Sequence, residues 1–381
     1  MRGRVIVASG NSSRFLEFGG STWVRLQYVL GLRKLGIDVY WVDRMDVVDP
    51  LETRRSVSYL TSQFRRRMEI FGLQDRYCID YNHGEQFFGM TAAELDRTID
   101  GTDLLLNLNG WLPDGSPLAR VSRRVYIDVD PGFTQLWAVE HAADSGFDRH
   151  QFFFTVGQNV GAPSFTVPTH GIAWHTTVPP VVLEEWPSVV DQRCRSFSTV
   201  ADWRGAQDAV FGGVHYGGKR SEFIRMLRLP HDSGQPIELA LCIGMSESED
   251  LGLLAGNGWI VLNAVQYAGD PESYREFIQT SRGEFSVAKN GYVRSRSGWI
   301  SDRTACYLAS GKPALVQSTG FEDSIPTGSG LLTFRDLPEA IAGIREINRN
   351  YVDHCRAARQ LAESRFDSDR VLGRMLSIVG L

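Results

Sequence analysis

Asp128-Val129-Asp130 closes the apolar run Val125–Val129, which reads as a strand buried on both faces. Two carboxylates one residue apart offer more than one chemistry. Their hard oxygens suit magnesium or manganese. Either could instead position or deprotonate a hydroxyl group. A parallel strand gathers ligands at its carboxyl end, so Asp128 and Asp130 are candidates for acid–base work. A plainer use for an Asp here is to cap the Pro131-Gly132 turn. His170 and His175 lie on a proline-rich loop, Pro168–Thr176. Either could be a base, and His170 joins the catalytic candidates, but this spacing on irregular chain does not mark a metal pair.

The cations form a second group. Lysine occurs only at Lys34, Lys219, Lys289 and Lys312, against 40 basic residues in all. Arg204 follows an apolar strand, Lys219 opens a helical region, and Lys289 sits in the loop after the strand Glu284–Val287. Positive charge at such places stabilises negative charge developing on a leaving group. Gly213-Val214-His215-Tyr216-Gly217-Gly218-Lys219 matches the first part of a phosphate loop, but Arg220 replaces the hydroxyl residue that would hold magnesium. The loop Ser9–Ser21 lacks the G-x-G-x-x-G spacing of dinucleotide sites. It does end in Phe18-Gly19-Gly20-Ser21-Thr22, a glycine-rich turn into a helix. Gly19, Gly20 and Ser21 are therefore candidates to approach a ligand closely. No G-x-S-x-G, H-E-x-x-H or kinase signature is present.

The most informative stretch runs from Ser295 to Leu315: a small-residue loop, a helix, a Gly311 stop and an apolar strand. It resembles the C-terminal domain of the GT-B glycosyltransferases, whose A-x-G-x-P-V-like turn is matched by Ala309-Ser310-Gly311-Lys312-Pro313-Ala314. The likeness is greatest to the spore-maturation, CgeB-like group, among retaining enzymes. That resemblance implies a bacterial hexosyltransferase taking its sugar from a nucleoside diphosphate donor. The helix N-terminus would bind the donor diphosphate through Ser297, Gly298, Trp299 and Ser301, with Arg204, Lys219 and Lys289 supplying charge. Arg303 matches an arginine that stands three residues before a ribose-binding glutamate. Cys306 occupies the glutamate position, so Asp302 is the expected substitute. Read alone, the D-x-D would suggest a GT-A enzyme with a bound metal. The two-domain layout favours GT-B, which implies no metal and no cofactor beyond the nucleotide sugar itself.

These groups need elements to position them. Val5–Ala8, Ile37–Val42, Leu104–Leu108, Val125–Val129 and Phe152–Val156 read as strands. Between the first two, Val24, Tyr28, Leu32 and Leu35 share one helical face. Thr91-Ala92-Ala93-Glu94 is a capping box. The pattern lapses between Gly161 and Pro187, where five prolines fall. It restarts with strands at Phe197–Val200, Glu238–Ile243, Trp259–Leu262, Glu284–Val287 and Ala314–Gln317. Helices are expected at Glu222–Leu229, Glu247–Ala255 and Ser301–Ser310, after Asp270-Pro271, and from Pro338 and Tyr351. The expected architecture is α/β: two Rossmann-like domains, 1–187 for the acceptor and 188–381 for the donor, with a cleft between them and the last helix free to pack back on the first domain.

Composition bounds the rest. The 381 residues are 43% hydrophobic and 22% charged, ordinary for a folded chain of two domains. A net charge of −5 argues against a general nucleic-acid partner. Five scattered cysteines suggest free thiols in a reducing, cytoplasmic setting. No apolar run is long enough to predict a transmembrane helix. The expected function is sugar transfer to an acceptor hydroxyl or amine. A nucleotide- or glycan-binding protein without turnover, or a nucleotide-sugar epimerase, is the alternative.

Overall fold

Strands that are apolar throughout must be covered on both faces, and the chain does this twice. A computed structural model describes residues 3–48, 55–113, 115–140, 145–205 and 208–381. The first sheet comprises β1 (Arg4–Gly10), β2 (Asp38–Met45), β3 (Tyr77–Tyr81), β4 (Gln86–Gly89), β5 (Leu104–Leu108), β6 (Arg124–Asp128), β7 (Phe152–Thr155) and β8 (His175–Thr176). Its order is β4-β3-β2-β1-β5-β6-β7-β8. All pairs are parallel except the hairpin of β3 with β4.

The second half contains β9 (Phe197–Asp202), β10 (Ala209–Phe211), β11 (Val214–Tyr216), β12 (Ile237–Cys242), β13 (Ile260–Asn263), β14 (Gly283–Ser286), β15 (Ala314–Gln317) and β16 (Leu331–Phe334). Six of these form the parallel sheet β13-β12-β9-β14-β15-β16, while β10 and β11 make a separate hairpin. Each sheet reverses its winding beside its first strand, β1 against β5 and β9 against β14. Ligands bind at such switch points. The fold is two Rossmann-like α/β domains facing one another across a cleft.

Local signals place the helices. Thr91 and Glu94 make the capping box that opens Ala92–Asp100. Asp270 caps Pro271–Gln279, with Ser273 returning the bond. The helical region from Glu222 divides into Arg220–Arg225 and Leu229–Ser233, because Pro230 interrupts it. The hairpin β10–β11 has no counterpart in the sequence reading, and the helical stretch expected from Tyr351 divides into Tyr351–Leu361 and a separate final helix, Ser368–Val379. That final helix packs on Gly19–Lys34, where a side chain at Gly31 would strike Ser368 and Leu372. Among the described residues, no helix is long and apolar enough to cross a membrane.

The domains meet tightly. Trp23 Nε1 donates to the Pro271 carbonyl at 2.8 Å. The backbone amides of Gln158 and Asn159 donate to the carbonyls of Gly298 and Ser297, each at 3.1 Å. Along the same seam Trp23 packs on Trp186 with tilted rings, and Trp186 meets Tyr274 edge-on.

Candidate functional site

The carboxyl ends of β6 and β14 face one another across the cleft. Lys289, just beyond β14, extends its ammonium across it to both carboxylate oxygens of Asp130, each at 2.9 Å. The Tyr292 hydroxyl donates to the same carboxylate. Burial, reinforced by Asp130, raises that phenol well above its ordinary range. The ammonium also lies 5.0 Å from the Phe133 ring centre and 5.1 Å from that of Tyr292, within cation–π range. Trp299 stacks on Tyr292 with ring centres 4.4 Å apart.

A polar frame holds the lysine loop. Buried Glu222 accepts from Asn290 Nδ2 at 2.7 Å and from Gln317 Nε2 at 2.6 Å. Gln317 in turn accepts from the Ala288 amide at 3.1 Å. The carbonyls of Gly217 and Gly218 receive the amides of Gly291 and Asn290. A Cβ at Gly218 would lie 1.5 Å from the Arg204 carbonyl, so only glycine fits there. The glycines of the phosphate-loop-like segment thus serve close backbone packing, beside the β10–β11 hairpin.

Lys219 is strongly perturbed by its surroundings. It is only 8% exposed. Burial, with the nearby cations Arg303 and Lys289, pushes its ammonium down from 10.5 to about 7. Asp202 and Asp302 oppose that fall without an ion pair forming. Asp302 is half-buried at the start of the helix Asp302–Ala309. Burial raises its carboxyl, and Arg303, Lys219 and Arg25 counter the rise. Lys219, Lys289, Asp130, Tyr292 and Asp302 therefore form one charged group in the cleft. Arg204 stands at the rim, 68% exposed along its side chain and paired with Glu247.

Several expected roles require correction. Asp128 is fully buried and accepts from Thr134, Gln135 and Thr155 side chains and from the Asp130 amide. Its oxygens are fully engaged in shaping the turn, so it cannot reach an acceptor. Asp130 is paired with Lys289 and Asp128 is enclosed by its turn, so the two carboxylates of the D-x-D do not converge on one point. Among the described residues no group of three His, Cys, Asp or Glu side chains is placed to hold a metal. His170 stands beside the first domain's aromatic residues, its ring 5.8 Å from Phe147 and its Nε2 2.8 Å from the Gln135 carbonyl, and among the described residues no hydrogen bond links it to Asp130, Lys219 or Lys289. His175 lies in β8.

Arg303 is bound inside its own domain, donating to Glu284 at 2.8 Å, to the Val200 carbonyl at 2.8 Å and to Ser286. A phosphate contact would break that buried ion pair. Gly298, at φ +69°, faces backbone across the seam: a Cβ would lie 2.7 Å from the Asn159 nitrogen. Its lack of a side chain serves domain docking. The same holds for Gly19 and Gly20, which press against the Asp270 carbonyl and the Tyr274 ring. Ser21 accepts from Arg25. Ser297 is buried in the seam, and Ser301 caps the helix by accepting from the Arg303 amide at 3.2 Å. Cys306 is buried against Gln27, which approaches its sulfur at 3.7 Å.

Beside the cleft, the first domain opens a cavity of about 660 Å³ lined by Trp111, Tyr126, Trp137 and Phe147, with Asn109 and Arg44 at strand ends. Thr134 lines it and bonds Asp128, and the adjacent Phe133 faces Lys289, so the cavity adjoins the charged group. Sequence reasoning missed this cavity, Tyr292 and the Glu222–Gln317 frame.

No family model matches the chain, and no curated protein matches it in sequence. Solved structures do. An alpha-glucosyltransferase in complex with UDP and a 13-mer DNA containing an HMU base superposes with a TM-score of 0.64 at 12% identity, covering all of both chains. The pneumococcal O-GlcNAc transferase GtfA, in complex with UDP and GlcNAc, gives 0.54 at 9%, covering 100% of this chain and 99% of that one. Sucrose-phosphate synthase from Thermosynechococcus elongatus gives 0.53 at 10%, covering 98% of each. The shared architecture is the GT-B fold.

Proposed function

We propose that this GT-B chain is a glycosyltransferase that moves a sugar from a nucleoside diphosphate donor to an acceptor hydroxyl or amine. The observation that carries the reading is Lys219: a buried ammonium without a counter-anion, beside Lys289, at the strand ends of the second domain. An amine whose charge is so costly in the empty site suits a site whose anion arrives with the substrate and restores that charge. A donor diphosphate between Lys219 and Lys289 supplies that anion. The two cations then stabilise charge on the departing phosphate, which a metal would otherwise do. Taking Lys289 from Asp130 frees the carboxylate to position the acceptor hydroxyl. The acceptor enters the aromatic cavity of the first domain, where flat rings suit the faces of a sugar or other ring.

The finer assignment, a hexosyl donor and retention at the anomeric carbon, draws on the Ser295–Leu315 resemblance and on neighbours that act with UDP-sugars. A net charge of −5 favours a small or glycan acceptor over the DNA held by one neighbour. Five free cysteines suit a cytoplasmic setting.

A second reading, nucleotide binding without turnover, is favoured by Cys306, which fills the ribose-glutamate position and is closed off by Gln27. A thermal-shift screen of nucleoside diphosphates and nucleotide sugars, with and without EDTA, tests the donor site. Stabilisation that survives EDTA supports it. No stabilisation by any of them, or stabilisation lost with the chelator, removes it.

A further inference from the structure

Where the two domains and the returning C-terminal segment meet, a groove of about 460 Å³ carries three arginines, Arg365, Arg370 and Arg374. Its remaining lining is uncharged: hydroxyls, the Gln158 amide and a few aliphatic side chains. None of it overlaps the charged group around Asp130.

The three arginines lack the acid partner that many surface arginines of this chain have. Arg65, Arg228, Arg335 and Arg359 each pair with an acid four residues on, at 2.8–3.0 Å. Arg370 is instead followed, four residues on, by Arg374. Like charges at that spacing destabilise a helix. Arg365 lies on the π-turn Ala362–Phe366, a rare geometry concentrated at functional sites. The acids that could neutralise the three are engaged elsewhere. Asp369 binds Lys34 at 3.1 Å, Glu363 binds Arg359, Asp323 faces Arg296 at 3.7 Å, and Asp367 caps the Asp369 amide. No ion pair or side-chain hydrogen bond reaches any of the three guanidiniums among the described residues. A chain of net charge −5 thus concentrates three uncompensated positive charges in one concave site.

We propose that this groove is a second anion site, which binds a multiply charged phosphoryl group through Arg365, Arg370 and Arg374, with Thr176, Ser324 and Ser364 as hydroxyl donors. Guanidinium forks match phosphoryl oxygens two at a time, which a single lysine cannot do. Thr176 belongs to the first domain, Ser324 to the second and Ser364 to the returning segment, so the anion touches all three parts. The phosphoryl group could belong to a soluble molecule or to a lipid headgroup, and the two sources are separable.

The test uses the full chain carrying Lys219→Met, which weakens the competing pyrophosphate seat between the donor lysines. Binding of pyrophosphate is measured by calorimetry at low ionic strength. Co-sedimentation is measured with vesicles of one part phosphatidic acid to four parts phosphatidylcholine. The proposal expects one pyrophosphate per chain, or vesicle binding, weakened about tenfold per arginine removed in Arg370→Gln/Arg374→Gln. Loss in the pyrophosphate arm identifies a soluble ligand, and loss in the vesicle arm alone identifies a lipid headgroup. The double variant should melt no lower than its parent, because it relieves repulsion. If it fails to fold, Arg365→Gln alone carries the test. Absence of binding in both arms, or equal binding by parent and variant, overturns the proposal. Failure here leaves the donor reading untouched, since that rests on Lys219.

Discussion

Lys219→Met removes one charge and nearly preserves side-chain length. Burial takes this ammonium from 10.5 to about 7. Each pH unit of that fall corresponds to about 1.4 kcal/mol, so keeping the residue charged in the empty site costs roughly 5 kcal/mol. Between pH 7 and 10.5 the unfolded lysine holds its proton while the folded one has lost it. The empty protein must therefore gain stability as pH rises through that window, and be least stable below it. Lys219→Met abolishes the window. Its empty form should melt several degrees higher near neutral pH, at roughly 2–4 °C per kcal/mol. Nucleoside diphosphate affinity should fall in the opposite sense, by about tenfold to a hundredfold for one lost charge-assisted hydrogen bond. Wild-type protein at about pH 8 should also take up close to one proton on binding, because the diphosphate restores the charge. Calorimetry in two buffers of different ionisation enthalpy reads that proton, and the variant should show none. Unchanged affinity, a lower melting temperature, or no proton uptake by the wild type would refute the assignment of Lys219 as the waiting cation.

Asp130→Asn should lower turnover on the order of a hundredfold while leaving nucleoside diphosphate affinity unchanged or tighter, because Lys289 no longer has a carboxylate to hold; parallel loss of affinity would contradict the handover. Gly298→Val should lower the melting temperature of the empty protein, with a cost of roughly 2–4 kcal/mol for strained φ and a backbone clash across the seam. A variant with unchanged thermal stability would return Gly298 to the donor site. Trp137→Ala should raise the acceptor KM about tenfold and leave nucleotide binding alone, as measured by acceptor titration at saturating donor.

Sequence periodicity located both sheets because their strands are buried on two faces. Leu104–Leu108 and Ala314–Gln317 have the bounds that their apolar runs predicted. A last helix packing back on the first domain was expected, but not its bounds or its seat at Gly31, because that partner is hundreds of residues away in the chain. Charge was legible as type and loop position, which is why Lys219, Lys289 and Asp130 were all candidates. What they do to one another was not legible. The Lys289–Asp130 pair spans 159 positions of sequence and depends on how the domains dock. Glycines misled for the same reason. Gly19, Gly20 and Gly298 do permit close approach, but the approaching group is the other domain. Asp128 and Asp130 look equivalent in the D-x-D, yet the strand ends at Asp128, which the turn after it buries, while Asp130 lies beyond the strand and faces the cleft.

The central claim is that this cleft transfers sugar from a nucleotide donor. The direct measurement is release of free nucleoside diphosphate from a panel of nucleotide sugars, with a panel of acceptors present or withheld, for wild type and Lys219→Met. The account predicts fast release only when a donor and an acceptor are both present, and a loss of about tenfold to a hundredfold in the variant. Nucleotide-sugar binding without release in any combination, or release that ignores Lys219, would contradict it.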